Sequence, residues 1–369
     1  MFPRLCRKQT LRAVVAGVAA VLLTMAYGAR AQHYDPTYEE LVASADAEGT
    51  LSVYSTTDAA EADELLDQFR SLYPGIHLDY HDQNSTEIFE RVRRETGSGQ
   101  VTADLVWSSA MDLQLKLVND GYAQPYHSPN LGWLPDWAVW KEEAYGITAE
   151  PVAIVYNTQH LPAGDVPRTH ADLLRLLGEK PETFKGKVGT YDPERSSVGF
   201  LFLTQDLQIT ERNWALVRAM GQVGAKLYAS TAAMLDRVAA GDHLIAYNVV
   251  GSYALERRKR EPALGVVLPA DYTLILSRVA FIPNAAPHPN AAKLFLDHLL
   301  SRPGQQALAA RSIGPVRDDV PSNPAALAAD KDAARPIHVG PGLLTYLDQA
   351  KQKRVLRDWR AALAGRSPR

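Results

Sequence analysis

The sequence predicts an α/β protein of two units, each a mostly parallel sheet with helices on its faces. Three observations carry this. From Leu51 onward, short apolar runs alternate with helical patterns in the order β-α-β-α-β-α. A second alternation of the same kind begins after about residue 150. Between the units lie two extended stretches, Tyr145–Asn157 and Val266–Ile282, each able to carry the chain from one unit to the other.

The chain opens on an export leader. Arg4, Arg7, Lys8 and Arg12 form a basic head, Ala13–Ala26 is uncharged and largely apolar, and Ala29-Arg30-Ala31 offers a small-x-small cleavage pattern. The apolar run is shorter than the roughly 20 residues a membrane span needs. Residues 1–31 are therefore expected to be removed, leaving a chain that begins near Gln32 and resides in the periplasm. Cys6, the single cysteine, would leave with the leader, so no lipid-modified N-terminal Cys, disulfide or thiolate site is expected.

In the first unit, Leu51–Ser55 reads as a strand. Ala62, Leu65, Leu66, Phe69 and Leu72 mark a helix that Pro74-Gly75 stops. Ile76–Tyr80 alternates as a strand, and Ser85 is placed to cap a helix bearing Ile88, Phe89 and Val92. Ala103–Trp107 is a third strand, with Ser109 and Asp112 at the start of the next helix. In the second unit, Val152–Tyr156, Lys187–Tyr191, Leu244–Tyr247 and Leu264–Leu268 read as strands, and Leu274–Ile282 as extended. Leu173–Leu177, Ser197–Leu207, Trp214–Gly221 and Gly251–Lys259 read as helical. An amphipathic helix follows at Asn290–Leu300, then a shorter one after Pro303. Asp319–Gly342 is loop-rich, and a last helix spans Leu343–Leu363.

Composition narrows the function. The chain has 39 basic and 42 acidic residues; removing the leader's five basic residues leaves 34 against 42, a formal −8. That balance argues against nucleic acid or an anionic membrane face as partner. There is no nucleophile elbow, no phosphate-binding P-loop and no H-E-x-x-H zinc motif. The ten His are scattered, so no catalytic residue, metal or cofactor is assigned.

In open parallel sheets ligands bind at the carboxyl ends of strands. That rule selects Ser55, Thr56 and Thr57 after the first strand and Ser108 and Ser109 after the third. In the second unit it selects Arg195, Ser196 and Ser197, and then Tyr247 and Asn248. Hydroxyls and free N–H groups at helix starts receive anions, Arg195 can clamp one, and Tyr247 can form a wall. Ser and Thr at such junctions also serve simply as caps, and Arg195 is equally readable as a solvated surface residue.

Several stretches also resemble a known family. They are Leu51–Thr57, Ala103–Ser109, Gly121–Pro125, Glu150–Asn157, Asp192–Gly199, and the most specific run, Val279–Pro283 with His288–Leu296. Over roughly residues 48 to 310 the chain resembles the periplasmic solute-binding proteins of ABC importers, in the branch of ferric-ion binders and their organic-anion relatives. The resemblance implies a type II periplasmic-binding-protein fold, two lobes closing on a two-strand hinge. Lobe 1 would take residues 48–150 plus 280–320, lobe 2 residues 151–279, and residues 321–369 would pack on the lobes as a loop and helix. It implies a monomer that is not an enzyme, with a small anionic solute (sugar phosphate, phosphonate or carboxylate) and an inner-membrane ABC permease as partners. Ferric binders of the branch place two adjacent Tyr after an Asn; here Asn248 is followed by Val249-Val250-Gly251-Ser252-Tyr253. Ferric iron needs hard anionic oxygens, and a helix starting at Gly251 would turn Tyr253 elsewhere. A ferric-ion carrier and an exported enzyme on the same fold are the alternatives.

Overall fold

The computed structural model describes residues 36–321 and 330–367. The expected leader and Cys6 lie outside them. Contacts divide the chain after Ala43, within helix α1 (Pro36–Glu48), and both sheets belong to the unit that starts at Ser44.

The first sheet contains β1 (Thr50–Ser55), β2 (His77–Asp82), β3 (Leu105–Ser108), β4 (Val139–Trp140), β5 (Ala144–Gly146) and β12 (Val279–Phe281), in the order β2-β1-β3-β12-β5-β4. β2, β1 and β3 are parallel, whereas β12 runs antiparallel to both β3 and β5. Helices α2 (Ala59–Leu72), α3 (Ser85–Ser98) and α4 (Met111–Asn119) follow the three parallel strands. α2 buries Ala62, Leu65, Leu66 and Phe69, the three- and four-residue spacing read in the sequence.

The second sheet has the order β13-β11-β6-β9-β7-β8, with β10 also against β6. Its strands are β6 (Glu150–Asn157), β7 (Val188–Tyr191), β8 (Lys226–Tyr228), β9 (Ile245–Val250), β10 (Leu264–Val267), β11 (Thr273–Leu276) and β13 (Ala334–Pro336). β8, β7 and β9 are parallel and β6 is antiparallel to β9. Helices α5 (His170–Glu179), α6 (Pro181–Phe184), α7 (Ser197–Ile209), α8 (Asn213–Gln222), α9 (Thr231–Ala239) and α10 (Gly251–Arg258) belong here. α11 (Pro289–Leu300), α12 (Arg302–Ala310) and α13 (Gln349–Leu363) come later in the chain.

Some elements differ from expectation. α9 and β8 have no sequence counterpart, because each is short, nine and three residues. β9 runs on to Val250, three residues past its expected end. The extended run Leu274–Ile282 breaks into β11 and β12, one in each sheet. The last helix starts at Gln349, where the Asp348 carboxylate accepts hydrogen bonds from the Ala350 and Lys351 amides; Pro341–Tyr346 is a 3₁₀ turn instead.

The chain crosses between the sheets at two adjacent points, 147–149 and Ser277–Arg278. Ile147 donates its N–H to the Arg278 carbonyl at 2.8 Å, and Arg278 N–H donates to Thr148 Oγ1 at 2.9 Å. A buried ion pair sits on this crossing. Arg278 is 1% exposed and Glu150 0%. Arg278 Nε and Nη2 donate to the two Glu150 oxygens at 2.7 and 3.0 Å. Thr148 and Ser252 hydroxyls donate to the same carboxylate. Burial alone would raise the Glu150 pKa, but the Arg278 charge and these donors hold it below its ordinary 4.5. Burial disfavours the Arg278 cation, yet Glu150 keeps its pKa well above the usual value.

The tail is a further tie. β13 pairs with β11 in the second sheet, Val339 then donates its N–H to the Trp137 carbonyl, just before β4 of the first sheet, at 2.8 Å, and α13 returns to pack on α8. At that last contact a Cβ on Gly221 would lie 1.9 Å from the Leu363 carbonyl oxygen.

This packing sets two stability outcomes. Gly221→Ala pushes α13 away from α8 and costs about 1–3 kcal/mol, seen as a lower urea midpoint; an unchanged midpoint would contradict the packing. Glu150→Gln leaves Arg278 buried without its counter-charge and costs about 3–5 kcal/mol at pH 7. Because the folded Glu150 pKa is depressed, the pair's contribution is complete above pH 4.5 and is lost as pH falls through the lower folded value. Urea unfolding across pH should therefore show the gap between wild type and Glu150→Gln closing only below that range.

Candidate functional site

A cleft of about 770 Å³ lies between the two sheets. It opens at the carboxyl ends of six parallel strands, three per sheet, and every strand-to-helix junction contributes to its lining. The first-sheet wall takes Thr56 and Asp58 between β1 and α2, Asp82 to Glu87 between β2 and α3, and Ser109 before α4. Facing it are Tyr191 and Arg195 to Val198 between β7 and α7, Ala229 to Ala232 between β8 and α9, and Val250 and Tyr253 at the start of α10. Leu276 and Arg278 form the floor at the crossing.

Caps decide which side chains face the cleft. α3 is capped by Asn84, not Ser85. Its side chain accepts from the Glu87 amide at 2.9 Å, and the Glu87 carboxylate reciprocates with the Asn84 amide at 3.4 Å. Ser85 is thereby released, and its hydroxyl meets that of Ser197 across the cleft at 2.7 Å. α7 is capped by Ser196, which accepts from Gly199 N–H, and α9 by Ser230, which accepts from Ala233 N–H. α4 has no side-chain cap. Ser109 instead donates its backbone N–H to Thr56 Oγ1 at 2.9 Å, joining two junctions of the same wall.

Of the residues selected from sequence, Thr56, Ser109, Arg195, Ser196 and Ser197 line the cleft. Ser55 and Ser108 are buried beneath it, each accepting from the amide two residues on, Thr57 and Ala110. Thr57 is also buried and accepts from Arg278 Nη1 at 2.9 Å, so it supports the floor. Tyr247 and Asn248 lie elsewhere. Since β9 continues to Val250, both are internal to the strand, and both donate to buried Asp206, at 3.0 and 2.8 Å. Tyr272 donates to Asp206 as well, at 2.9 Å. Asn248 is held with φ +59°, the left-handed region. Burial raises the Asp206 pKa, partly offset by His170 and these three donors.

The sequence reading missed Asp58, Asp82, Ser230, Thr231, Tyr191, Tyr253 and Arg278. Tyr253 is not turned away: helix α10 begins at the cleft edge and presents the phenol 3.4 Å from Arg278 Nη1. Burial raises its pKa, only partly countered by Arg278. The Tyr191 hydroxyl bonds Thr231 at 2.5 Å, and burial pushes its pKa up to about 12. A signal existed for Arg278, a lone charge inside the apolar run Leu274–Ile282. Asp58 is pushed up by burial and by Asp82, and Glu61 behind it is pushed up to about 7, mainly by burial. Among the described residues, no group of three His, Cys, Asp or Glu is placed to hold a metal ion.

Residues 64–335 match the family of bacterial extracellular solute-binding proteins. No curated protein matches the sequence. Among solved structures, the substrate binding protein of the ABC transporter from Agrobacterium tumefaciens is 38% identical with a TM-score of 0.80, covering 85% of this chain and 94% of its own. The periplasmic binding protein AfuA from Actinobacillus pleuropneumoniae, with fructose-6-phosphate bound, is 20% identical with a TM-score of 0.71, covering 85% and 98%. Iron-bound HitA from Pseudomonas aeruginosa is 18% identical with a TM-score of 0.66, covering 84% and 99%. The last two likenesses are of fold. With two sheets, a two-strand crossing and a cleft between them, the fold is that of the type II periplasmic binding proteins, and the chain belongs to the bacterial extracellular solute-binding protein family.

Proposed function

We propose that this protein captures a small organic anion, a sugar phosphate, phosphonate or carboxylate, in the periplasm and delivers it to an inner-membrane ABC permease. The observation that carries the reading is the convergence of six helix starts on one cleft. Each helix start exposes N–H groups and the positive end of a peptide dipole, worth about 0.3–1 kcal/mol apiece toward a nearby negative charge. Arg195 adds an exposed cation, and Ser85, Ser109, Ser197, Ser230 and Thr231 surround the space with hydroxyls.

The cleft volume suits an organic molecule rather than a bare ion. Ferric iron is disfavoured by chemistry. It takes hard anionic oxygens, and burial raises the pKa of the Tyr253 phenol, which opposes the phenolate form. A solute touching both walls favours the closed state, and the Ser85 and Ser197 hydroxyls already meet across the cleft. An enzymatic reading would need a nucleophile with an adjacent base, and the cleft lining supplies hydroxyls that serve as caps or bond other hydroxyls.

Thermal unfolding against sugar phosphates, phosphonates, carboxylates and ferric citrate tests the reading. At a hundred times its dissociation constant, one of the organic anions should stabilise the protein by about 2.7 kcal/mol. Arg195→Ala should weaken that anion about five-fold by calorimetry, the effect shrinking at high salt. A visible absorption band with ferric ion and no response to organic anions would transfer the function to iron, and turnover of a bound compound would make it an enzyme.

A further inference from the structure

The charge of the cleft is divided between its walls. The first-sheet wall carries Asp58, Asp82 and Glu87 and no Lys or Arg; the opposite wall carries Arg195 and no carboxylate. Glu87 is committed to the α3 capping box. Asp58 and Asp82 have no such task. Asp58 occupies the cap position of α2, yet its side chain makes no capping bond. Asp82 accepts a single long hydrogen bond, 3.4 Å, from the Ala59 amide. Neither takes part in a salt bridge among the described residues. The cation whose charge bears on Asp58, Arg278, is already engaged by Glu150, Thr57 and Tyr253.

Two neighbouring carboxylates with no salt-bridge partner of their own are unfavourable for the protein alone, since the Arg278 charge only partly offsets burial and repulsion at Asp58. Burial and mutual repulsion raise the Asp58 pKa. A bare anion closing into this cleft would meet helix starts on both walls, but like charge from Asp58 and Asp82 on the first-sheet wall alone. A cationic group there would relieve both. An ammonium is compact, carries three donors and can reach two carboxylates at once through charge-assisted hydrogen bonds.

We propose that the solute is two-ended, with an acid group held by the helix starts of the second-sheet wall and an ammonium group held between Asp58 and Asp82. This rests on the anion-capture reading and narrows it. Each end then belongs to one lobe, so only a molecule carrying both charges draws the walls together. Selectivity against plain anions follows from Asp58 and Asp82, and anion affinity as such from the opposite wall.

Matched probes differing only in the amine provide the test: phosphoethanolamine against ethyl phosphate, 3-aminopropylphosphonate against propylphosphonate, and 4-aminobutyrate against butyrate. Glycerol 3-phosphate serves as a hydroxyl-bearing control. Calorimetry on the leader-free protein should show at least one amine-bearing member binding about tenfold or more tighter than its partner and than glycerol 3-phosphate, the range of a charge-assisted hydrogen bond. In the double variant Asp58→Asn/Asp82→Asn the gap should close from both sides, weaker for the amine and tighter for the plain anion. A misfolded variant would instead lose both. Plain anions, or glycerol 3-phosphate, binding as tightly as the amines would overturn the two-ended solute while leaving anion capture standing. No binding by any member, with a response to ferric citrate alone, would overturn both.

Discussion

One buried ion pair holds the architecture together. Arg278 and Glu150 lie where the chain passes between the sheets, each at the edge of a strand that belongs to one of them. Taking two charges out of water is expensive, and the expense is offset only when every donor and lone pair is occupied. Here Glu150 receives Arg278, Thr148 and Ser252, while Arg278 also reaches Thr57 and Tyr253. Those partners come from the crossing itself, from the first junction of one wall and from the last junction of the other. The pair therefore fixes the crossing, the cleft floor and the relative register of both walls with one set of bonds.

The cleft depends on that register because no single element makes it. Six strand ends contribute one or a few residues each, and their helices radiate away from the same space. Local caps keep those helix starts intact, while the hydroxyls beside the caps face inward. The Asp206 cluster plays a supporting part buried within the second-sheet half. By holding Asn248 in a left-handed conformation inside β9, it shapes the strand that delivers Val250 and Tyr253 to the cleft.

Most of the sheet-and-helix order was legible because apolar spacing reports burial directly: Leu65, Leu66 and Phe69 lie inward as their spacing indicates. The resemblance in Glu150–Asn157 and Val279–Leu296 points to the family without any coordinates. The lining of the cleft was only half legible. Thr56, Ser109, Arg195, Ser196 and Ser197 follow from the rule that ligands sit at strand ends. Tyr247 and Asn248 did not, because the end of β9 was placed three residues early, and the strand that continues to Val250 keeps both in its interior, bonded to Asp206. Asp58, Asp82 and Arg278 escaped notice for another reason. A lone charge in sequence looks the same whether it meets solvent, a buried partner or a ligand, and only the fold brings residues 58, 82 and 278 to one place.

The division of labour at the start of α3 reaches beyond this one molecule. Asn84 and Glu87 secure the helix between themselves, and Ser85 stands next to them with no part in that bond. At α7, Ser196 caps and Ser197 faces Ser85. Helix capping and the lining of the cleft are thus assigned to neighbouring but separate positions. Residues 85 and 197 can change without removing the caps of the helices they begin, so the surface of the cleft can vary while the scaffold around it stays the same.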